Sequence, residues 1–196
     1  MMRRFLILFD DIPINKVSVK SGHNSSEVVT ACRCVNVGLF VSGNLRRDVI
    51  VSIAKGPIND MRIVSFSGDI LKRVSPDERS ISFFLFKSLN IAENLQQNSQ
   101  QILDNGIIVA RESFTKIISN YAQDRVFIAH AGSESTLDSS ILLDDTILIY
   151  ETGTSIGLAG QESNVLKDFK EYSTLSYLLH PERFILDINV RIDNEE

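Results

Sequence analysis

Short runs of β-branched and other apolar residues, separated by amphipathic stretches, limit this sequence to few folds. Each run has the length of one strand, and apolar residues between the runs recur at helical spacing. Strands that alternate with helices form a mostly parallel sheet with helices on both faces. The 196 residues therefore predict an α/β fold, in a single domain over 1–196, with strands within 3–11, 49–54, 61–66, 106–110, 126–130 and 146–151.

The first long helix is placed by its start signal and its apolar stripe. Asn24 precedes Glu27 by three residues, which is the spacing of a capping box. The stripe then repeats at i, i+4, i+7 and i+11 through Val28, Cys32, Val35 and Leu39. We expect this helix to end at the polar residues 42–44, and the segment around Pro13 before it to be a loop.

A second helix begins at the segment 75–78, where Ser75 can act as the N-cap and Pro76 as the first helical residue. Glu78 then closes a capping box, and the helix is predicted to run to about Leu89. The polar stretch 94–101 is interpreted as an extension of this helix or a surface connection. Further helices are predicted over 112–122 and near 161–170.

The last element is ambiguous in the sequence. From Phe184 to Ile192 apolar and polar residues alternate as in a strand. Phe184, Ile185, Ile188 and Ile192 also form a helical stripe, and Pro181 suits a helix start. Periodicity alone leaves strand and helix open for 184–192.

The two cysteines and the N-terminus indicate a reducing, cytoplasmic location. Cys32 and Cys34 are too close in sequence for an ordinary disulfide bond and supply half a metal site, so we predict free thiols and no metal. On a helix they are not expected to face the core together, so Cys32 is assigned to packing. The N-terminal apolar run meets Asp10 after five residues, too short for a signal peptide or a membrane span.

Charge is distributed unevenly along the chain, whose net charge is −5. Residues 1–90 contain 13 Lys and Arg against 8 Asp and Glu, whereas residues 91–196 contain 7 against 17. A basic half in an acidic chain is compatible with a nucleic-acid surface, or with an ordinary solvated face.

Two motifs in the first half resemble one known family. The first is Cys-Arg-Cys-Val at 32–35, followed by Ser42 and by Arg-Arg-Asp-Val at 46–49. The second is Ser-Pro-Asp-Glu-Arg at 75–79, which opens a helix that ends in Lys-Ser-Leu at 87–89. In residue type and spacing they are similar to the TrmY-type family of archaeal tRNA pseudouridine-54 N1-methyltransferases, within the SPOUT superfamily.

A weaker likeness continues in the C-terminal part, through Ile-Tyr-Glu at 149–151, Gly153, Gly157 and the run 174–180. The resemblance implies a sheet whose C-terminal part is tied in a deep trefoil knot, an exception to the rule that chains do not thread loops. It also implies a homodimer that binds S-adenosylmethionine among the knot loops, near the subunit interface. The residues that this likeness assigns to the cofactor are Tyr150, Glu151, Gly153, Gly157, Thr174, Leu175, Ser176, Leu179 and Phe184.

The sequence departs from the family at three places. Family members carry Gly-Asp where this chain has Tyr150 and Glu151, and a Cys in the final helix where Phe184 aligns. An Arg-x-Asp before the Cys-Arg-Cys motif is replaced by Glu-Val-Val at 27–29. These changes affect the expected cofactor contacts more than the expected fold.

The reaction implied by the resemblance needs a proton acceptor and phosphate contacts. N1 of pseudouridine must lose its proton, and a positioned carboxylate can take it. We assign this role to Asp48, for which a simple ion pair with a neighbouring arginine is the alternative. Guanidinium groups match phosphate oxygens, so the expected tRNA contacts are Arg33, Arg46, Arg47 and Arg79.

Three other functions remain compatible with the sequence. The same reaction could act on a pseudouridine of ribosomal RNA. The chain could bind RNA or cofactor without catalysis, which the departures at Tyr150 and Phe184 allow. Methyl transfer to another RNA base is also open, because base selection depends on the shape of the pocket.

Overall fold

The computed structural model describes residues 2–121, 125–130, 146–153, 173–176 and 180–194. Within them the strands are β1 (Arg3–Phe9), β2 (Phe40–Val41), β3 (Asn44–Leu45), β4 (Val49–Lys55), β5 (Met61–Ser67), β6 (Ser99–Ile102), β7 (Ile108–Glu112), β8 (Val126–His130), β9 (Ile147–Glu151) and β10 (Ser173–Ser176). The helices are α1 (Lys16–Ser21), α2 (Ser26–Leu39), α3 (Glu78–Asn94), α4 (Phe114–Ile118) and α5 (Pro181–Asp193). The predicted helix near 161–170 lies outside the described residues.

Eight of these strands form one mixed sheet in the order β10-β8-β9-β1-β4-β5-β7-β6. The strands from β10 to β4 run parallel to one another, whereas β5, β7 and β6 pair antiparallel with their neighbours. The prediction of a mostly parallel sheet flanked by helices is confirmed. The antiparallel β4–β5 hairpin follows from the short Gly-Pro turn, which leaves no room for a crossover helix.

The central strands are apolar throughout because both faces of the sheet are covered. Phe5, Ile7 and Phe9 of β1 point into a large core that is shared with α2, α3 and α5. Leu6 and Leu8 point to the opposite face, into a smaller core to which α4 contributes. A run buried on both faces loses the polar alternation of a one-sided strand.

The start of α2 differs from the capping box predicted at Asn24. The N-cap is Ser25, whose hydroxyl accepts from the backbone N–H of Val28 at 3.4 Å. Asn24 instead donates to the carboxylate of Glu78 at 2.8 Å. The segment predicted as a loop contains the short helix α1, capped by Asn15. At the end of α2, Gly43 has a φ of 76° in the tight turn that joins β2 and β3.

The second long helix starts two residues later than predicted and ends five residues later. Its N-cap is Asp77, which accepts from the backbone N–H of Ser80 at 2.8 Å, so Ser75 and Pro76 precede the helix. The segment 94–101 contains the last residue of α3 and the first part of the edge strand β6. Strands at the exposed edge of a sheet often have a polar composition. The sequence pattern therefore did not reveal β6.

The ambiguous segment 184–192 is helical. Pro181 occupies the first turn of α5, and Phe184, Ile185, Ile188 and Ile192 form its buried stripe. Val190, which a strand pattern would bury, is exposed. Packing against α2 therefore selects the helix, although periodicity alone could not.

Both cysteines are free and buried, so the expectation that they cannot face the core together is wrong. The reason is that α2 packs against α3, α5 and β4, which buries more than one side of the helix. Burial is the main cause that raises the pKa of the Cys32 thiol to about 12 and also raises that of Cys34. Neither thiol is a ready nucleophile at neutral pH.

Candidate functional site

Two opposite edges of the sheet hold candidate site residues, some of them predicted from the sequence and some not. The carboxyl edge, where β1 and β9 end, comprises Asp10, Glu151, Thr152 and Gly153. The amino edge, where β1 and β4 begin, comprises Arg3, Arg46, Arg47 and Asp48. In the register of the sheet Arg3 pairs with Val49, and Leu8 pairs with Glu151. Five residue steps along β1 therefore separate the two levels, about 17 Å at the usual rise of a strand.

At the carboxyl edge, backbone contacts fix the residues that follow β9. Both the backbone N–H and the hydroxyl of Thr152 donate to the carbonyl of Leu8 at 2.9 Å. Gly153 then lies against Asp10, and a Cβ at this position would overlap the Asp10 carboxylate. Glycine thus allows this close approach without displacement of the Asp10 side chain, and Asp10 is an exposed carboxylate that the sequence analysis did not select.

Two predicted cofactor residues are core residues in the structure. The ring of Phe184 packs edge-on against Phe5 with centroids 6.1 Å apart, and it lies 5.7 Å from the ring of Tyr150. Burial, with smaller effects from Cys34 and Glu182, raises the pKa of Tyr150 to about 12. Both rings fill the large core between the sheet and α5, which does not favour side-chain contacts to a cofactor, and the predicted contacts stay a prediction.

The remaining cofactor predictions lie on β10 or outside the described residues. Thr174, Leu175 and Ser176 belong to β10, an edge strand paired with β8. Ser176 pairs with His130 at the carboxyl end of β8. Gly157 and Leu179 fall outside the described residues. The structure thus brings the end of β10 to the same edge as Gly153.

At the amino edge, a buried guanidinium organises the residues around Asp48. Arg3 is only 3% exposed, and its Nε donates to the Asp48 carboxylate at 2.8 Å while its Nη2 forms an ion pair with the same oxygen. Its Nη1 donates to Asn189 at 3.1 Å and to Asp193 at 2.9 Å, both on α5. Asp48 therefore pairs with Arg3, and not with either arginine that precedes it.

Arg46 belongs to the same network. Its Nε and Nη2 donate to the carboxylate of Asp193 at 3.1 and 2.9 Å, and its Nη1 donates to the carbonyl of Val37. Burial opposes the charge on Asp193, but the hydrogen bonds from Arg3 and Arg46 outweigh it and lower the pKa of Asp193. These contacts occupy most donors of Arg46, which weakens its prediction as a phosphate ligand.

The other three predicted RNA contacts have donors free for a ligand. Arg47 is exposed and uses one nitrogen to bind the carbonyls of Gly68 and Asp69. Arg33 is 64% exposed and lies 3.8 Å from Glu182, a loose surface pair. Among the described residues, the exposed Arg79 at the start of α3 makes no ion pair.

The sequence analysis missed Arg3, Asn189 and Asp193. One signal could have found Asn189, because it lies beside Ile188 and Ile192 on the apolar side of α5, where a polar residue needs a partner. Arg3 precedes an apolar strand and could not be separated from the adjacent Arg4 by pattern. Only the folded structure shows that Arg3 joins β1 to α5 and to the residue before β4.

Comparison with known proteins identifies the family. A family described as putative SAM-dependent RNA methyltransferase matches residues 2–195. The chain belongs to this family. The tRNA (pseudouridine(54)-N(1))-methyltransferase of Methanococcus maripaludis strain C6 is 32% identical over 98% of both chains. The enzyme of the same name from Methanocaldococcus jannaschii is 28% identical over 71% of this chain and 69% of its own.

A solved structure supports the fold of this RNA methyltransferase. Archaeoglobus fulgidus Nep1 bound to S-adenosylhomocysteine matches with a TM-score of 0.56 over 99% of this chain and 98% of that chain, at 10% identity. The predictions of the family, of an RNA methyltransferase and of S-adenosylmethionine as cofactor are confirmed. Among the described residues, none of the helices is long and apolar enough to cross a membrane.

Proposed function

We propose that this methyltransferase transfers a methyl group to N1 of pseudouridine 54 in the T-loop of tRNA. The observation that carries the proposal is the similarity to enzymes of this name from Methanococcus maripaludis, which extends over 98% of both chains. Similarity over such a length covers both edges of the sheet, and so includes every element that holds a predicted site residue. S-adenosylmethionine supplies the methyl group when bound.

The carboxyl edge is the proposed cofactor site. Ligands of parallel α/β sheets bind beyond the carboxyl ends of the strands, where Thr152, Gly153 and Ser176 lie. The groups present fit the cofactor, because the exposed Asp10 carboxylate suits a cation such as a sulfonium and Gly153 permits close approach of the backbone. The proposal includes a deep trefoil knot in the C-terminal part, as the SPOUT resemblance implies.

Asp48 remains our proposed proton acceptor, and its position has a consequence for the assembly. It lies at the amino edge, about 17 Å from the level of Glu151 in the same subunit. No carboxylate side chain spans that distance. Asp48 can therefore act only on a nucleoside held at the carboxyl edge of a second copy, so the proposed enzyme is a homodimer with two shared sites. Arg47, at the amino edge, and the exposed Arg79, at the start of α3, would bind phosphates of the same tRNA.

Single-turnover methylation of a tRNA transcript that contains pseudouridine 54 tests the proposal. Asp48→Asn should slow transfer by about 10²–10⁴, the usual effect of a lost base. Because Asp48 also accepts from Arg3, the matched control is Asp193→Asn, which removes the same charge from the same guanidinium. Full activity of Asp48→Asn would remove Asp48 from the mechanism, and equal losses in both variants would assign it to the ion-pair network.

Mixed dimers test the shared site. We expect a heterodimer of Asp48→Asn with a variant that cannot bind cofactor, such as Gly153→Trp, to recover one intact site, which is half of the activity of a wild-type dimer and well above that of either parent. Absence of recovery would place the acceptor and the cofactor in one subunit. Methyl transfer to a ribosomal RNA hairpin and not to tRNA would show that the substrate is ribosomal RNA. RNA binding without any methyl transfer would indicate a binding protein without catalysis.

A further inference from the structure

A cavity of about 460 Å³ lies between α3 and the hairpin that joins β6 to β7. Phe84, Ile91 and Leu103 form its apolar wall, and Arg73 and Lys87 are its two cations. This volume falls within the range of pockets that hold small ligands. Neither the proposed reaction nor the predicted cofactor contacts use this cavity.

The charged groups at the cavity favour an anionic ligand. Arg73 and Lys87 are both exposed, and Arg73 spends one donor on the carbonyl of Asp104 at 3.2 Å. Asp104 adds one carboxylate to the lining, which leaves a net charge of one positive unit. A phosphate can therefore be bound by the two cations, although it must avoid the Asp104 side of the cavity.

An exposed aromatic residue continues this surface along α3. Phe83 is 41% exposed, and the Lys87 ammonium lies 4.5 Å from the centre of its ring. Arg79, Phe83 and Lys87 follow one another at i, i+4 and i+8, so they share one face of the helix over about 12 Å. Cations interleaved with an aromatic ring are the elements that bind single-stranded nucleic acid, by phosphate contact and base stacking.

Ser88 supplies an independent observation. It lines the cavity, is completely buried, and its hydroxyl has no hydrogen-bond partner among the described residues. A buried hydroxyl without a partner costs free energy, which a ligand with a hydrogen-bonding group can offset. Ser82, six residues earlier on the same helix, is equally buried but donates to the carbonyl of Arg79 at 3.3 Å.

We propose that this cavity binds a nucleotide of the RNA substrate other than the pseudouridine that is methylated. The phosphate would lie between Arg73 and Lys87, and the base against Phe84 and Leu103, with Phe83 and Arg79 extending the contact along the strand. The inference rests on the proposed function only in that the ligand is RNA. It assigns roles to Lys87 and Ser88, which lie in the family-like segment 87–89 but have no part in the reaction.

Equilibrium binding of a tRNA transcript, measured by fluorescence anisotropy at several salt concentrations, tests the phosphate contact. Lys87→Gln should weaken binding about five- to tenfold and reduce the salt slope by about one. The control is Lys20→Gln, which removes the same charge from an exposed lysine on α1 that does not line the cavity. Identical binding by the two variants would overturn the proposal.

A pair of serine variants tests the cavity without a change in charge. Ser88→Ala should weaken tRNA binding about threefold and leave the melting temperature unchanged or higher, because its hydroxyl has no partner to lose. Ser82→Ala should bind tRNA as the wild type does. If both serine variants bind tRNA as tightly as the wild type, no nucleotide is bound inside the cavity.

Two further measurements separate the alternatives. Adenosine 5′-monophosphate should displace tRNA from the wild-type protein but not from Lys87→Gln. If this nucleotide binds the wild type without displacing tRNA, the cavity is a site for free nucleotides and the RNA assignment is overturned. Calorimetry should give the same S-adenosylmethionine affinity for Lys87→Gln and wild type. If the wild type binds tRNA but transfers no methyl group, the proposed reaction fails, while the Lys87 comparison still decides this inference.

Discussion

The two edges of the sheet hold their charged groups in opposite ways. At the amino edge, the guanidinium of Arg3 is buried and bound to Asp48, Asn189 and Asp193, so β1, β4 and α5 are joined by one network. At the carboxyl edge, Asp10 is exposed and, among the described residues, makes no hydrogen bond or ion pair. The first arrangement stabilises the fold, and the second leaves a carboxylate available to a ligand.

The family motif at the amino edge serves the structure in addition to the function that we propose for it. The Arg-Arg-Asp segment at 46–48 gives two side chains to the buried network, while Arg47 remains exposed. In the proposed homodimer, a residue held rigidly at the amino edge is well placed to act on the partner subunit, because its position is already fixed. Mutations at the two edges should therefore affect stability and ligand binding in different proportions.

The largest effect is expected for Arg3→Met at the amino edge. Removing the guanidinium leaves Asp48, Asn189 and Asp193 without their buried donor, which should lower the free energy of unfolding by about 3 kcal/mol. Denaturant unfolding measures this loss of free energy, and Arg4→Met, at the adjacent and partly exposed arginine, is the control. A loss below about 1 kcal/mol would show that the network contributes little and that the two edges do not differ in this way.

A smaller change in stability is expected for Gly153→Ala at the carboxyl edge. The added methyl group must displace the Asp10 carboxylate, which is exposed and free to rotate, so unfolding should change by less than about 1 kcal/mol. We expect S-adenosylmethionine affinity, measured by calorimetry, to fall about tenfold because the closely packed backbone is disturbed. Unchanged affinity would place the cofactor away from Gly153.

The smallest effect concerns acid pH. The pKa of Asp193 is lowered from the usual 3.8, so its ion pairs contribute stability that is present above that pH and lost as the pH falls through the lowered value. Because Asp193 is partly exposed, the contribution should be below about 1 kcal/mol. Asp193→Asn should flatten the dependence of unfolding free energy on pH between about pH 5 and 2.

Asp60, in the turn between β4 and β5, offers the comparison at the other end of the sheet. Hydrogen bonds from Arg111 are the main cause that lowers the pKa of Asp60, and burial opposes them. Asp60→Asn should therefore flatten the same pH range. If Asp193→Asn keeps the full pH dependence and Asp60→Asn removes it, acid sensitivity arises from the β4–β5 turn and not from the amino edge.

Local signals predicted most elements, and their failures have clear causes. Strands β4, β5, β8 and β9 are recognisable because buried strands are continuous apolar runs. The edge strand β6 has no such run, because most of its side chains face solvent. The two helix caps were misplaced by one or two residues, since several Ser, Asn and Asp residues compete at each start.

The site was predicted only in part. The segments around Asp48 and Gly153 were selected from motifs, but nothing in the chain order shows that they lie at opposite edges of one sheet. Tyr150 and Phe184 were assigned to the cofactor, whereas packing of α5 places both rings in the core. Whether a side chain points into the core or toward a ligand depends on which face of its helix or strand is covered by other elements. That is decided only when the sheet and the helices pack together.

By itself, the sequence determined the α/β class, the family and the residue types available for the chemistry, because these depend on local periodicity and on motifs. The tertiary structure alone decided that 184–192 is a helix, that Arg3 unites β1, β4 and α5, and that Asp48 and Gly153 are separated by the length of a strand. Each of these depends on contacts between residues far apart in the chain, such as Arg3 with Asp193. Local patterns carry no information about such contacts, since their free energy is realised only when the distant elements pack together.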